Sequence, residues 1–212
     1  MAVLADFHLS ARVRSSDGRP VGTLHRVVVD QETFDPKAIV VKEDARFGGQ
    51  LLAPGSWLLT DDLIVPIDAV AGATHDTVEL TLTAAEVRRL PPYLAYHFRP
   101  PTAREAVGRD LTLIGGIGVP ALAETANKPA GEIEIAQGEN VMLGRTGRKL
   151  GRVRDVLVDG GELIGIVLRP QGLFEHDVVL PVRFLSRSDD AALFAELAEA
   201  DLEHLAPFQP RS

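Results

Sequence analysis

Six histidines, His8, His25, His75, His97, His176 and His204, are the residues of this chain best suited to proton transfer or metal ligation. Their spacing argues against both, because none forms an H-x-x-x-H or similar pair that one helical face could aim at a metal ion. His75-Asp76 and His176-Asp177 set a carboxylate beside an imidazole, but adjacent residues on a strand point to opposite faces and cannot pair side to side. Both dipeptides read as polar surface loops flanking strands. A serine hydrolase needs a G-x-S-x-G elbow, and "APGSWLL" (53–59) lacks the second glycine. "GGIG" (115–118) falls short of G-x-G-x-x-G, and Pro120 interrupts the helix that a dinucleotide loop would open. No catalytic, cofactor-binding or metal-ligating residue is therefore assigned, and the chain is expected to be non-enzymatic and to carry no cofactor.

Residue types suited to binding are easier to find. "GRTGRK" (144–149) is the most basic run, and with Arg148, Arg152 and Arg154 it offers a surface for phosphate or an acidic partner, although a solvated turn explains it more simply. Phe47 and the sole tryptophan, Trp57, fall in an insertion, with Phe174 at the similar place later in the chain. Aromatic side chains on such loops either anchor an interface or cap the ends of a β unit. These six residues are the candidate partner contacts.

Length and composition bound what can carry them. The 212 residues are 45% hydrophobic and 25% charged, enough for one large domain or two small ones with a packed core. Nineteen glycines and fourteen prolines favour turns and short strands. A net charge of −8 repels a phosphate backbone on average and disfavours sequence-independent nucleic-acid binding. The absence of cysteine rules out disulfides and suits a reducing cytoplasm. "MAVLADFHLSAR" shows no secretory pattern, and the longest uncharged apolar stretch, Leu111 to Ala123, has 13 residues and a proline, too short to span a bilayer.

The strongest signal is a repeat. "GRPVGTLHRVVVD" (18–30) and "GRKLGRVRDVLVD" (147–159) share six of thirteen residues, Gly18 with Gly147, Arg19 with Arg148, Gly22 with Gly151, Val27 with Val156, Val29 with Val158 and Asp30 with Asp159. The similarity resumes with Pro66 and Pro181, Leu90 and Leu205, Pro92 and Pro207, Tyr93 and Phe208. The offset falls from 129 to 115, so the first copy holds 14 extra residues, largely in "KEDARFGGQLLAPGSWLLTDD", an expected extended loop or hairpin. Duplication on this scale is a small domain present twice.

Asp17-Gly18 signals a hairpin turn, and Gly22 stands where a bulge or close backbone approach is needed. Both copies then read as half-buried strands, followed by "PKAIVV" and "ELIGIVL" as core strands. "DDLIVPIDAV" and "HDVVLPVRFL" follow, each with its proline at an edge or bulge. "DTVELTL" is a strand, and Thr83 with Glu86 forms a capping box for a helix that Pro91 and Pro92 end after two turns. "AALFAELAEADLEHLAPF" looks helical by propensity, but alignment with the first copy makes its first half a strand and leaves only Glu199 to Leu205 helical.

The order DG-x-x-[aliphatic]-G, alternating aliphatics ending in Asp, an aliphatic strand, an "[IL]VP" strand and a closing Leu-Pro resembles the PRC-barrel domain. That domain is shared by the cytoplasmic part of the photosynthetic reaction centre H subunit and the C-terminal half of the ribosome-maturation factor RimM. The resemblance covers Leu9 to Tyr93 and Val141 to Phe208, and Arg26 stands where the second copy has Asp155, an acidic position common in the family. It implies a docking or scaffold module without chemistry of its own.

The expected fold is mainly β, two small PRC-type β-barrels in tandem, each ending in a short helix. Repeat 1 with its extended loop spans 1–97, a Gly/Pro-rich linker with a packed apolar segment from Leu111 to Val119 spans 98–137, and repeat 2 spans 138–212. The expected function is a soluble cytoplasmic adaptor that binds an unidentified protein partner, with self-association through its aromatic loops as a natural outcome. The alternative is an RNA-associated ribosome-assembly factor in the manner of RimM.

Overall fold

The computed structural model describes residues 8–44, 62–74, 76–99, 121–126, 129–144, 146–170, 176–186, 192–198, 201 and 204–209. These are mainly β. The Asp17-Gly18 turn joins strand β1 (Arg12–Arg14) to the long strand β2 (Pro20–Asp30), with Gly18 at φ +77°, a conformation that a side chain would strain. Strands β3 (Pro36–Glu43), β4 (Leu63–Pro66), β5 (Val70–Ala73) and β6 (Thr77–Leu80) complete the first series. After β7 (Leu94–Arg99), β8 (Ala121–Ala126) and β9 (Glu132–Ala136), the series recurs as β10 (Asn140–Leu143), β11 (Lys149–Asp159), β12 (Glu162–Pro170), β13 (Val178–Pro181), β14 (Leu185–Ser186) and β15 (Leu193–Ala195).

Strand order repeats as well as sequence. One sheet runs β4-β3-β2-β1-β6-β5 and the other β13-β12-β11-β10-β15-β14. Each has one parallel contact at the same place, β1 with β6 and β10 with β15. Bulges match too, after Val13 and Val141, at Leu24/Arg26 and Val153/Asp155, and at Val28/Val29 and Leu157/Val158. Pro66 and Pro181 end β4 and β13, where a missing N–H costs no ladder bond, and lead into 3-10 turns at Ile67–Ala69 and Val182–Phe184.

Two invariant positions of the repeat have a steric cause. A Cβ on Gly22 would lie 2.0 Å from the Lys42 carbonyl oxygen on β3, and one on Gly151 would lie 2.2 Å from that of Arg169 on β12. The backbones cross there so closely that only glycine fits, which is the close approach the sequence predicted.

The capping box forms as expected: Thr83 accepts from the Glu86 N–H, and Glu86 reaches back to Thr83. The helix α1 is a single turn, Ala84–Val87, rather than two. After the Arg88 cap the chain tightens into i to i−3 bonds, Arg89 N–H to the Glu86 carbonyl and Leu90 N–H to that of Val87, before Pro91 and Pro92. In the second series the strand reading prevails over helix propensity. Leu193 and Ala195 are fully buried and pair in parallel with β10, and tertiary packing overrides the local preference of "LFA". The insertion between Asp44 and Asp62, the segment from Leu111 to Val119 and most of the expected second helix lie outside the described residues.

The stretch read as a linker contributes strands. β7 and β8 pair with each other as a two-stranded sheet, and β9 adds to the first sheet beside the C-terminal half of β2, Arg26 opposite Ala136 through Asp30 opposite Glu132. Glu132–Ala136 buries alternate residues, and Ile133 and Ile135 enter a core cluster that also contains Val27, Val29, Val156 and Val158. Apolar side chains from both series thus share one interior.

Replacing Gly22 by Ala is expected to cost about 3 kcal/mol in urea unfolding, because the carbonyl it would strike belongs to a paired strand. Gly18→Ala, strained in φ but open in space, should cost only about 1–2 kcal/mol. Equal losses would refute the close-approach account. A second expectation concerns Asp17, whose carboxyl is held below its ordinary value by the Ser15 hydroxyl and then by the Ala84 N–H at the start of α1. A depressed carboxyl stabilises the fold above its unfolded pKa of about 3.9, and that contribution is lost as pH falls through the lower folded value. Asp17→Asn should therefore be less stable than wild type at pH 7, with the gap in urea midpoints closing below about pH 4; a gap independent of pH would count against it.

Candidate functional site: an arginine and aromatic groove beside the inter-repeat joints

Asp62 and Asp177 head β4 and β13 at equivalent places and hold the same set of neighbours. The Asp62 carbonyl accepts from the Tyr93 N–H at 2.6 Å, and the Asp177 carbonyl from the Phe208 N–H at 2.8 Å. Their carboxylates take the basic residue at matching positions of the long strands. Asp62 Oδ2 pairs with His25 Nδ1 at 2.7 Å, while Asp177 pairs with Arg154 and accepts from Arg169 Nε at 3.4 Å. Each aspartate therefore fixes the segment that returns along β4 or β13, seen also in the bridges Leu63 with Pro92 and Val178 with Pro207.

The next position along β2 and β11 differs in charge. Arg26 donates to Glu134 Oε2 of β9 at 2.6 Å and lies 5.3 Å from the Tyr93 ring centre, and the Tyr93 hydroxyl also bonds Glu134. Burial works against the Arg26 charge, but the hydrogen bond and charge of Glu134 outweigh it and hold the guanidinium above its ordinary pKa. At the matching place Asp155 collects three donors. His8 Nδ1 gives to Oδ2 at 2.6 Å, and the N–H groups of Leu9 and Val156 give to Oδ1 at 2.7 and 2.8 Å. Both joints tie a strand of one series to the chain that leads into the other.

Beside the His8–Asp155 joint runs a cleft of about 620 Å³, lined by His8, Arg12, Asp76, Arg154, Asp155 and Phe208. Arg154 and Phe208 also line an adjoining hollow of about 570 Å³ with Arg169, His176 and Asp177. The Arg154 guanidinium lies 6.0 Å from the Phe208 ring centre, so a cation braced on an aromatic face divides the groove.

Of the residues singled out by sequence, Arg152 and Arg154 share the outer face of β11, and Arg169 stands opposite Arg152 across the strand pair. Arg148 sits exposed at the preceding turn and does not line either hollow. Phe47, Trp57 and Phe174 lie outside the described residues. His176 and Asp177 both lie in the loop before β13, but the Asp177 side chain is only 14% exposed and ion-paired with two arginines, so the surface part of the reading holds for His176 alone. Sequence reasoning passed over Arg12, Asp155, Arg169 and Phe208 as groove residues. Its available signal was the matched aspartates before "LIVP" and "VVLP" with the matched Tyr93 and Phe208.

Residues 137–200 match the family model of the PRC-barrel domain, which covers β10 to β15. No curated protein matches the chain.

The Arg26–Glu134 joint can be weighed by a double-mutant cycle. Arg26→Gln and Glu134→Gln should each cost about 1–3 kcal/mol, with a coupling energy near 1 kcal/mol or more. The exposed Arg19–Asp17 pair, with side chains 63% and 39% accessible, should show coupling of only a few tenths. Coupling of equal size at both places would show that the joint contributes no more than a surface pair.

Proposed function

From the PRC-barrel domain at residues 137–200 and the same strand path in residues 12–80, we propose a tandem of two PRC-type barrels that acts as a non-enzymatic adaptor and docks a partner protein in the Arg154–Phe208 groove. The observation that carries this reading is the guanidinium braced on Phe208 between two hollows, held there by Asp177. Arginine and aromatic side chains that are fixed before binding lose little freedom on association, and they dominate interface energetics. The titratable groups around them are engaged in joining segments: His8 with Asp155, His25 with Asp62, Arg154 and Arg169 with Asp177. None of these pairs sets a base against a hydroxyl nucleophile, which supports binding over catalysis. A net charge of −8 favours a protein partner over RNA.

The test is capture from native lysate with the immobilised full chain, quantified against two variants. Arg169→Gln removes the charge of a side chain 66% exposed without setting a second carboxylate against Asp177; Phe208→Ala removes the aromatic brace. A reproducible set of proteins retained by wild type should fall about tenfold or more with either variant. Unchanged recovery would reject the groove as the docking surface, and salt-sensitive recovery of structured RNA would replace the adaptor reading with the ribosome-assembly one.

A further inference from the structure

We propose, resting on the adaptor reading, that the Arg154–Phe208 groove receives an acidic segment of the partner protein, with carboxylates on the guanidinium groups of Arg152 and Arg169 and an apolar side chain against the Phe208 ring.

The two halves hold equivalent positions with different charge. Thr23 stands opposite Lys42 on β2 and β3, and Arg152 stands opposite Arg169 on β11 and β12. His25, which pairs with Asp62, is matched by Arg154, which pairs with Asp177. Threonine, histidine and lysine of the first half are thus three arginines in the second. Like charges directly opposite on an antiparallel pair repel, so Arg152 and Arg169 stabilise nothing by facing each other. Asp177 is shared between Arg154 and Arg169, and among the described residues no carboxylate pairs with Arg152. Three cations there hold one counter-charge.

Burial decides which sign meets solvent. The Asp155 and Asp177 side chains are 15% and 14% exposed and lie beneath their donors, whereas those of Arg154 and Arg169 are 42% and 66% exposed. Arg152 is exposed as well, and so is Arg12 in the larger hollow, where Asp76 is the exposed acid of the lining. A cationic face on a chain of net charge −8 selects a negative partner locally. Asp177 reaches Arg169 through Nε at 3.4 Å, the long limit of a hydrogen bond, and a guanidinium has five N–H donors in a fork that a carboxylate matches with two. Phe208 is half-buried with Arg154 over its ring, which leaves an apolar edge between the two hollows. A short acidic segment fits this arrangement better than a phosphate backbone, because a continuous polyanion would run beyond the hollows onto a surface that is acidic on average.

The test pans a displayed library of random peptides, about 12 residues long, over the immobilised full-length protein and sequences what is retained. Aspartate and glutamate should be enriched about threefold or more over the unselected library, beside an aromatic or bulky aliphatic residue. A fluorescent peptide of the enriched consensus should bind the Arg152→Gln, Arg169→Gln double variant about tenfold or more weakly by anisotropy, and Lys42→Gln, altered at the first-half equivalent of Arg169, as tightly as wild type. Arg152→Gln alone breaks no ion pair among the described residues, so it should keep the wild-type urea midpoint and still weaken the peptide about threefold. An acidic consensus held equally by wild type and the arginine variants would overturn the proposal. So would a consensus without acidic bias, or none at all; the docking groove itself then stands if Phe208→Ala still lowers recovery of lysate proteins, and falls with the proposal if it does not. A single-stranded RNA oligonucleotide that bound more tightly than the peptide through the same arginines would give the groove to nucleic acid.

Discussion

The ladder between Arg26–Asp30 and Glu132–Ala136 is the constraint on which the architecture turns. Ile133 and Ile135 are 3% and 0% exposed, and removing each from water stabilises by about 1.5–3 kcal/mol, more than the Arg26–Glu134 pair beside them contributes. Hydrophobic burial therefore supplies most of the stability of the ladder, and the polar joint decides which half and which register β9 takes. Because β9 runs directly into β10, this ladder also holds the second series against the first. Valines of both long strands consequently lie in one cluster, and the interior is continuous across the duplication. A half cut out at residue 137 would keep its six-strand path but expose the isoleucine partners of β2.

Within each half, the same few contacts return the chain to its sheet. Gly22 and Gly151 let β2 and β11 cross close to β3 and β12, which bends the long strand enough for its two ends to serve different neighbours along one edge. Asp62 and Asp177 then anchor the segment that comes back after the last strand. In the first half that segment brings Tyr93, whose hydroxyl is committed to Glu134; in the second it brings Phe208, which has no hydroxyl to commit. Both rings carry a guanidinium, Arg26 on Tyr93 and Arg154 on Phe208, but only Tyr93 is also tied through its hydroxyl.

Much of this was legible in the sequence, for reasons tied to particular residues. Gly22 and Gly151 stood out because close approach admits nothing else, and Pro66 and Pro181 because a proline ends a ladder. The strand at Leu193–Ala195 was readable only through the repeat, since alanine, leucine and glutamate favour a helix and the parallel contact with β10 is remote in sequence. β9 was not legible as part of the first sheet. "EIEIA" alternates as a strand should, but nothing local tells a strand which half of a duplicated chain will pair with it, and that choice lies in Arg26, more than a hundred residues away. The groove was missed for the same reason: Arg12, Arg154, Arg169 and Phe208 come from four separate segments and meet only after the strands have paired. The capping box is legible as Thr83 and Glu86, but the end of the helix is not, because the turn tightens at Arg89, two residues before the first proline.

The opposite charges at Arg26 and Asp155 give the duplication its direction. Had the copies remained identical there, each long strand would accept either leading segment, and chains could pair in more than one way. Glu134 of β9 meets a cation at Arg26; on β11 it would face the Asp155 carboxylate, a like-charge contact at short range. His8 and the Leu9 N–H are donors that Asp155 gathers; against Arg26 they would meet only further donors. Each wrong pairing thus leaves a charge or a donor unmatched in a partly dry site, and such penalties separate partners more sharply than the right pairing attracts them. A single inverted position thus gives two similar long strands different requirements for the segment that pairs with each.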